Sequence, residues 1–216
     1  MSSKCVNLSR FGALFVVIGL AGCAVFPGAR EEPGERVAGN LAVQAGQLML
    51  RPCSGQSALA VSDEVRIQQL FEQVADSSEQ GVFVDMTVRR LTGGAVAPVE
   101  IIRLQKELDG CADQSAERSQ WTVVGNGLEW RVQTGPTGMQ WLDQGTDNVA
   151  PPVPVITEEV PGSAISFQSL RGDPQELWIY PNACFEQSGG DYYHRTARFV
   201  REGKTLTGCA YQGLVP

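Results

Sequence analysis

Cysteine and histidine are the side chains of this sequence best suited to covalent or proton-transfer chemistry. The chain of 216 residues contains six cysteines and a single histidine, His194. One imidazole is too few for a histidine-based metal cage. As a general base, His194 would also need a nucleophile, and no Gly-x-Ser-x-Gly or Ser-x-x-Lys motif supplies one. We therefore expect His194 to be a structural strand residue, and we expect no catalytic residue, no metal and no other cofactor.

Cys23 closes an apolar stretch near the N-terminus. Two basic residues precede the apolar run 11–20, which suits a signal peptide but is shorter than the roughly 20 residues of a spanning helix. The run ends in Leu20-Ala21-Gly22-Cys23, which resembles a bacterial lipobox, where small residues admit a peptidase and the thiol accepts a diacylglyceryl group. We expect residues 1–22 to be a signal peptide and Cys23 to be lipidated, with a further acyl chain such as palmitate. An ordinary secretory signal or an uncleaved anchor is the alternative.

The residues after Cys23 predict where the protein is held. Residue 24 is Ala rather than Asp, which in proteobacterial lipoproteins favours the outer membrane. Residues 23–40 combine proline, glycine and charge without periodicity, and we interpret them as a lipidated tether. We expect the protein to lie on the periplasmic face of the cell outer membrane, with the lipid bilayer as its first partner.

The overall charge excludes one class of partner. The chain has 17 basic and 24 acidic residues, a net charge of −7, and loss of Lys4 and Arg10 with the signal peptide leaves 15 − 24 = −9. A chain this acidic is a poor ligand for nucleic acid, so we expect none to bind.

The remaining cysteines predict disulfides. Cys5 lies in the signal peptide and Cys23 carries lipid, which leaves Cys53, Cys111, Cys184 and Cys209. Four cysteines allow three pairings in the oxidising periplasm, and the most local one is Cys53–Cys111 with Cys184–Cys209. No Cys-x-x-Cys pair or neighbouring histidine indicates metal binding instead.

Other polar and aromatic groups are weaker candidates for sites. The acidic pairs Glu31-Glu32 and Glu158-Glu159 could hold calcium, but adjacent acids in proline-rich loops usually only face solvent. Three tryptophans could form an aromatic binding face, although we favour core packing for them: Trp121, Trp130 and Trp141. Four basic residues could form a patch that binds lipopolysaccharide or peptidoglycan, although we favour a solvated strand face: Arg195, Arg198, Arg201 and Lys204.

Hydrophobic periodicity predicts a β-rich fold in two units. In the N-terminal α+β unit, residues 41–113, apolar residues at helical spacing predict one helix within 63–75, and alternation predicts a strand at 82–88. The C-terminal β unit, residues 119–216, has strand patterns that include 192–200 and 205–211. A proline-rich loop spans 144–162. The fold class we expect is mainly β, with two small antiparallel barrel-like or sandwich-like units.

The C-terminal residues carry a family resemblance. Cys184, Tyr192-Tyr193 and the segment Thr205-Leu206-Thr207-Gly208-Cys209-Ala210 resemble the "tLxGCA" pattern of an uncharacterised proteobacterial lipoprotein family. That family is similar in architecture to NlpE-type copper-homeostasis lipoproteins and to META/HslJ-like domains. The resemblance implies a β-rich, disulfide-linked periplasmic lipoprotein and no reaction. A copper role is not implied, because residues 52–56 hold one cysteine where the metal-linked members have Cys-x-x-Cys.

These patterns together favour a non-enzymatic envelope lipoprotein that binds, senses or assists assembly, with an envelope protein or peptidoglycan as partner. Three alternatives stay open: an inhibitor of lysozyme acting through the 144–162 loop, a hydrolase acting on peptidoglycan, and a redox sensor with a labile disulfide.

Overall fold

The fold is mainly β, as the periodicity predicts. A computed structural model describes residues 34–77, 80–127, 130–143 and 150–216. The strands before residue 106 are β1 (Glu35–Gln44), β2 (Gln47–Pro52), β3 (Leu59–Ala60), β4 (Val82–Arg90) and β5 (Val96–Gln105). One helix, α1 (Ile67–Val74), lies between β3 and β4, and a 3₁₀ turn (Leu108–Cys111) and the short helix α2 (Ser115–Arg118) follow β5.

The second half of the chain is almost entirely strand. Its strands are β6 (Trp121–Gly125), β7 (Trp130–Gly135), β8 (Gly138–Asp143), β9 (Val155–Val160), β10 (Ala164–Ser169), β11 (Gln175–Tyr180), β12 (Cys184–Phe185), β13 (Tyr192–Tyr193), β14 (Arg195–Arg201) and β15 (Lys204–Gln212).

These strands form two antiparallel sheets. The first has seven strands in the order β12-β13-β5-β4-β1-β2-β3, and the second has eight in the order β8-β7-β6-β15-β14-β11-β10-β9. Met139 on β8 and Val153 just before β9 exchange two backbone hydrogen bonds of 2.8 Å, which bring the two edges of the second sheet together. The eight-stranded sheet is therefore close to a closed barrel.

Each sheet buries its own apolar face. On β4, Val82, Val84, Met86 and Val88 alternate toward a core that α1 covers with Ile67, Phe71 and Val74. The barrel interior is filled with large side chains, among them Trp121, Trp130, Phe167 and Phe199. Filled interiors of this kind leave no channel through the barrel.

The two predicted units are not separate in space, which corrects the division into 41–113 and 119–216. Residues 32–216 cluster as one compact unit. Strands β12 and β13 follow most of the barrel in the chain, yet β13 pairs with β5 and β12 with β13, so both extend the first sheet. A third core cluster, with Ile102, Val124, Tyr193 and Tyr211, joins the two sheets. A two-stranded hairpin is only marginally stable alone, so the β12–β13 hairpin gains stability by adding to the edge of the first sheet.

Three predicted boundaries are wrong. The tether cannot extend to residue 40, because β1 begins at Glu35 and pairs with both β2 and β4. The predicted 144–162 loop is not all loop, because it contains strand β9. The prolines that flank β9 lie outside its paired residues and therefore do not prevent pairing. The predicted strand 192–200 is two strands in different sheets, divided at His194.

The predicted disulfides are both present. Cys53 joins Cys111, and Cys184 joins Cys209, each with a Cα–Cα distance of 5.4 Å. The first ties the end of β2 to the 3₁₀ turn, and the second ties the β12–β13 hairpin to the barrel strand β15. Next to Cys209, a Cβ on Gly208 would collide with the carbonyl oxygen of Val124, so the glycine of the Thr-Gly-Cys-Ala segment is required for the approach of β15 to β6.

Removing either disulfide is expected to lower the free energy of unfolding by about 3–4 kcal/mol, slightly more for Cys53–Cys111, because its sequence separation is 58 against 25. Urea unfolding of the paired Cys→Ala variants measures this. Titration of native protein with a thiol reagent is the control, and free thiols at any of the four positions would contradict the assignment.

Candidate functional site

The candidate site is an open cleft where the chain passes from the first sheet to the barrel. Tyr193 pairs with Arg103 on β5, whereas Arg195 pairs with Ala210 on β15. His194 lies between the two pairings, and its backbone N–H still donates to Ile102 of β5 at 3.0 Å. The crossover therefore places consecutive side chains at the junction of two sheets.

The cleft has a volume of about 440 Å³ and two kinds of wall. Its apolar residues are Val65, Leu70, Ile101, Pro181 and Ala183, which come from the α1 region, β5 and the segment before β12. Its polar residues are Glu100, Tyr192, His194 and Arg195. Ligand sites combine apolar side chains with a few placed polar groups, and this cleft holds both kinds, with the polar groups contributing more of the exposed lining.

His194 is held by bonds at both ring nitrogens. Its Nδ1 lies 2.8 Å from Oε1 of Glu100, and its Nε2 accepts the backbone N–H of Gln212 at 3.2 Å. Because Nε2 accepts, Nδ1 must carry the proton and donate it to Glu100. The ring also stacks on Trp121 with 5.9 Å between centroids, and the side chain is only 5% exposed. His194 thus links β5, β6 and β15.

Glu100 stays ionised beside this imidazole. The hydrogen bond from His194 lowers the pKa of Glu100 against the opposing effect of partial burial, and the charges of Arg195 and Arg36 lower it further. The carboxylate is about half exposed, at 48%. Among the described residues Oε1 bonds to His194, and Oε2 has no hydrogen-bond partner.

Arg195 is the cationic group of the cleft. Its Nε is buried and, among the described residues, has no hydrogen-bond partner. No ion pair holds its guanidinium in that part of the chain, in contrast to Arg36, Arg89 and Arg90, which each pair with an acid. A buried donor without a partner costs about 1–3 kcal/mol. Because Nε is enclosed by protein, an anion in the cleft could approach Arg195 only through Nη1 and Nη2.

Tyr192 completes the polar wall. Burial raises the pKa of its phenol, and Glu100 adds to the rise while Arg195 opposes it. The phenol is therefore neutral in the physiological range and can donate a hydrogen bond but not act as a phenolate.

A second cluster of charged groups fixes the two sheets around the cleft. Arg103, whose side chain is 2% exposed, contacts Asp113 through Nη1 at 2.8 Å and lies 3.4 Å from Asp85 through Nε. Arg36 binds the same Asp85 with two contacts of 2.8 and 2.7 Å. Its guanidinium also donates to the backbone oxygens of Gln212 and Gly213, so this charge cluster holds the end of β15 in place.

Asp113 is the most strongly perturbed acid of that cluster. Burial raises its pKa, but hydrogen bonds from Ser115 and Arg103 outweigh burial and lower the pKa to about 2. The ionised form is thus the one that the folded state stabilises.

Glu186 anchors the hairpin that forms one wall of the cleft. The residue is 1% exposed, and its carboxylate accepts the backbone N–H groups of Ser188 and Gly189, between β12 and β13, and of Gly127 after β6. Burial alone raises the pKa of Glu186, but these hydrogen bonds lower it. The carboxylate therefore fixes the β12–β13 hairpin against the barrel.

The structure disperses most of the candidate residues from the sequence. Trp121 and Trp130 are core residues, and half-buried Trp141 packs on the core beneath Arg201 at 5.0 Å, so these tryptophans form no aromatic face. Arg195 lies in the cleft, whereas Arg198 is exposed and Lys204 begins β15, so the basic residues form no single patch. Glu158 and Glu159 are exposed on edge strand β9. Cys23, Glu31 and Glu32 lie outside the described residues.

The sequence analysis missed the partners that give the cleft its character. Glu100 reads as an ordinary exposed strand residue, and only the pairing of β4, β5 and β13 brings it to His194. Arg103 did carry a signal, since a charge within Ile101-Ile102-Arg103-Leu104 breaks an apolar run. A half-buried aromatic pair, Trp178 and Tyr180, also stacks at 6.3 Å on the barrel exterior.

Two properties of the described residues bear on the site. Within residues 34–77, 80–127, 130–143 and 150–216, no group of three or more His, Cys, Asp or Glu side chains is placed to hold a metal ion. In the same ranges no helix has the length and apolarity to cross a membrane.

Replacing Asp113 by Asn is expected to remove a pH-dependent part of stability. The pKa of Asp113 is lower in the folded state than unfolded, so its contribution of about 2 kcal/mol is present above about pH 4 and disappears as the pH falls toward 2. In urea unfolding, the difference between the native chain and D113N should shrink over that range. For D173N, which alters an exposed acid in the β10–β11 turn, the difference should stay constant. An equal loss at every pH for D113N would contradict the ionic role.

Diethyl pyrocarbonate is expected to modify native His194 far more slowly than the unfolded chain, because both ring nitrogens are bonded and the ring is buried. The absorbance of the modified imidazole reports on this residue alone, since it is the only histidine of the sequence and a histidine-free purification tag can be used. Equal rates for native and unfolded protein would show that Nε2 is free.

Comparison with known proteins adds no relative: no family model, no curated protein and no solved structure matches this chain. The lipoprotein resemblance stays a prediction from sequence motifs, and the function is argued from the geometry of the cleft.

Proposed function

We propose that this protein is a non-catalytic binding protein of the bacterial envelope. The observation that carries the proposal is the state of the cleft: both nitrogens of His194 are occupied, while Arg195, which has no ion pair within the described residues, lines the cleft beside apolar side chains. A general base needs a free nitrogen within reach of substrate. A cleft that keeps its only imidazole bonded and leaves a cation free is suited to binding.

Lipidation at Cys23 would hold this binding protein at the periplasmic face of the outer membrane. The support is the Leu20-Ala21-Gly22-Cys23 sequence with Ala24. Two disulfides also fit an oxidising compartment. Residues 24–34, between Cys23 and β1, could span at most roughly 40 Å when extended. The net charge of −9 on the mature chain opposes flat adsorption to an anionic surface and favours a position at the end of the tether.

Two or three acyl chains anchor a protein far more firmly than one, since each buried methylene contributes about 0.8 kcal/mol. The Cys23→Ser variant is therefore expected to lose membrane retention. It should also lose metabolic labelling with an alkyne analogue of palmitate.

Cell fractionation and gel fluorescence measure the two effects. The matched control is Cys5→Ser, which changes the cysteine of the signal peptide and should be retained and labelled like the native protein. Unchanged retention and labelling of C23S would overturn the proposed anchor.

A further inference from the structure

We propose that the cleft binds the C-terminal end of a short apolar peptide, with the peptide carboxylate on Arg195. The inference deepens the proposed binding function and rests on it. An open cleft of about 440 Å³ brings together three features: Arg195, which has no ion pair within the described residues, the Glu100 carboxylate and an apolar wall.

Arg195 supplies the charge that would recognise the ligand. Its Nε is buried without a hydrogen-bond partner among the described residues, and its position after the crossover at His194 fixes it between the sheets. A planar guanidinium matches a carboxylate through two parallel hydrogen bonds, which are stronger than neutral ones. A carboxylate in the cleft could therefore pair with Nη1 and Nη2 of Arg195, whose guanidinium has no ion pair within the described residues.

Glu100 limits the charge of that ligand. It remains ionised in the same cleft, so Arg195 and Glu100 together are close to neutral. A doubly charged phosphate would gain one attraction and meet one repulsion, whereas a monovalent carboxylate can lie on Arg195 away from Glu100. The pair therefore favours a monoanion.

The same acid suits a peptide backbone. Oε1 of Glu100 is committed to His194, and Oε2 has no partner within the described ranges, so it can accept a peptide N–H. Tyr192, whose phenol stays protonated, adds a donor for a peptide carbonyl. A carboxylate flanked by an N–H and a carbonyl is the chemistry of a peptide terminus.

The apolar wall accounts for the side chain of the last residue. Val65 is 48% exposed and lines the cleft together with Pro181 and Ala183. Leu70 and Ile101 also line it, with their other sides packed on the core of the first sheet. A fatty acid would need a long continuous apolar lining, but Glu100 and His194 interrupt the wall. One or two apolar residues of a peptide fit the available surface better than an extended acyl chain.

The test uses the full chain purified from producing cells and isothermal titration calorimetry. The probe is acetyl-Ala-Ala-Leu with a free carboxylate, compared with the same peptide amidated, with octanoate and with inorganic phosphate. We expect the free acid to bind, the amide to bind at least about tenfold more weakly because it loses the charge-assisted pair, and neither octanoate nor phosphate to compete.

Three variants locate the binding. Arg195→Gln should weaken binding of the free acid at least about tenfold and leave the weak binding of the amide unchanged. Arg195→Lys keeps the charge but loses the planar fork, so its affinity for the free acid should lie between those of the native chain and R195Q. The matched control is Arg198→Gln on the same strand, exposed on the barrel exterior, which should bind like the native chain. Thermal unfolding of each variant confirms folding.

Several outcomes would overturn the proposal. These are equal affinity for acid and amide, undiminished binding by R195Q, competition by octanoate or phosphate, and no binding of the free acid. None of them affects the anchoring experiment on Cys23. The proposed envelope location and the proposed ligand can therefore fail separately.

Discussion

A buried arginine is the constraint on which the arrangement of the two sheets depends. Arg103 lies near the C-terminal end of β5 with 2% of its side chain exposed. It sits between Asp85 and Asp113 and contacts the rings of Phe83 and Tyr211 at 4.9 and 4.3 Å. A buried charge is tolerated only with partners, and breaking such a pair costs about 3–5 kcal/mol. Both charged partners precede α2 in the chain, and the ring of Tyr211 on β15 adds a contact from the second sheet, so Arg103 contacts both sheets.

The cleft follows from the same junction. Arg36, which shares Asp85 with Arg103, donates to the backbone of Gln212 and Gly213 at the end of β15. The N–H of Gln212 is in turn the donor that occupies Nε2 of His194. The charge cluster thus positions the strand that keeps the imidazole bonded, and the crossover places Arg195 next to it. Architecture and proposed binding chemistry are two results of one set of hydrogen bonds.

Much of the local structure was predictable because it depends on short-range patterns. Alternation in Val82–Val88 predicts β4, and the helical spacing of Ile67, Leu70, Phe71 and Val74 predicts α1, although the helix begins later than Asp63. The continuous pattern of residues 192–200 could not reveal its division. Both pieces satisfy a period of two, and only the available edges of β5 and β15 decide where each one pairs.

The amino-acid sequence by itself determined a mainly β chain, its favoured cysteine pairing and the absence of a nucleophile motif beside its one histidine, because composition and spacing are properties of the chain alone. Tertiary structure decided that the two predicted units form one compact body and that His194 bonds through both nitrogens. It also decided that Arg195 lies in a cleft without an ion-pair partner in the described part of the chain, while Arg198 faces outward. These outcomes depend on contacts between residues far apart in the chain, such as Glu100 with His194, and no local pattern encodes them.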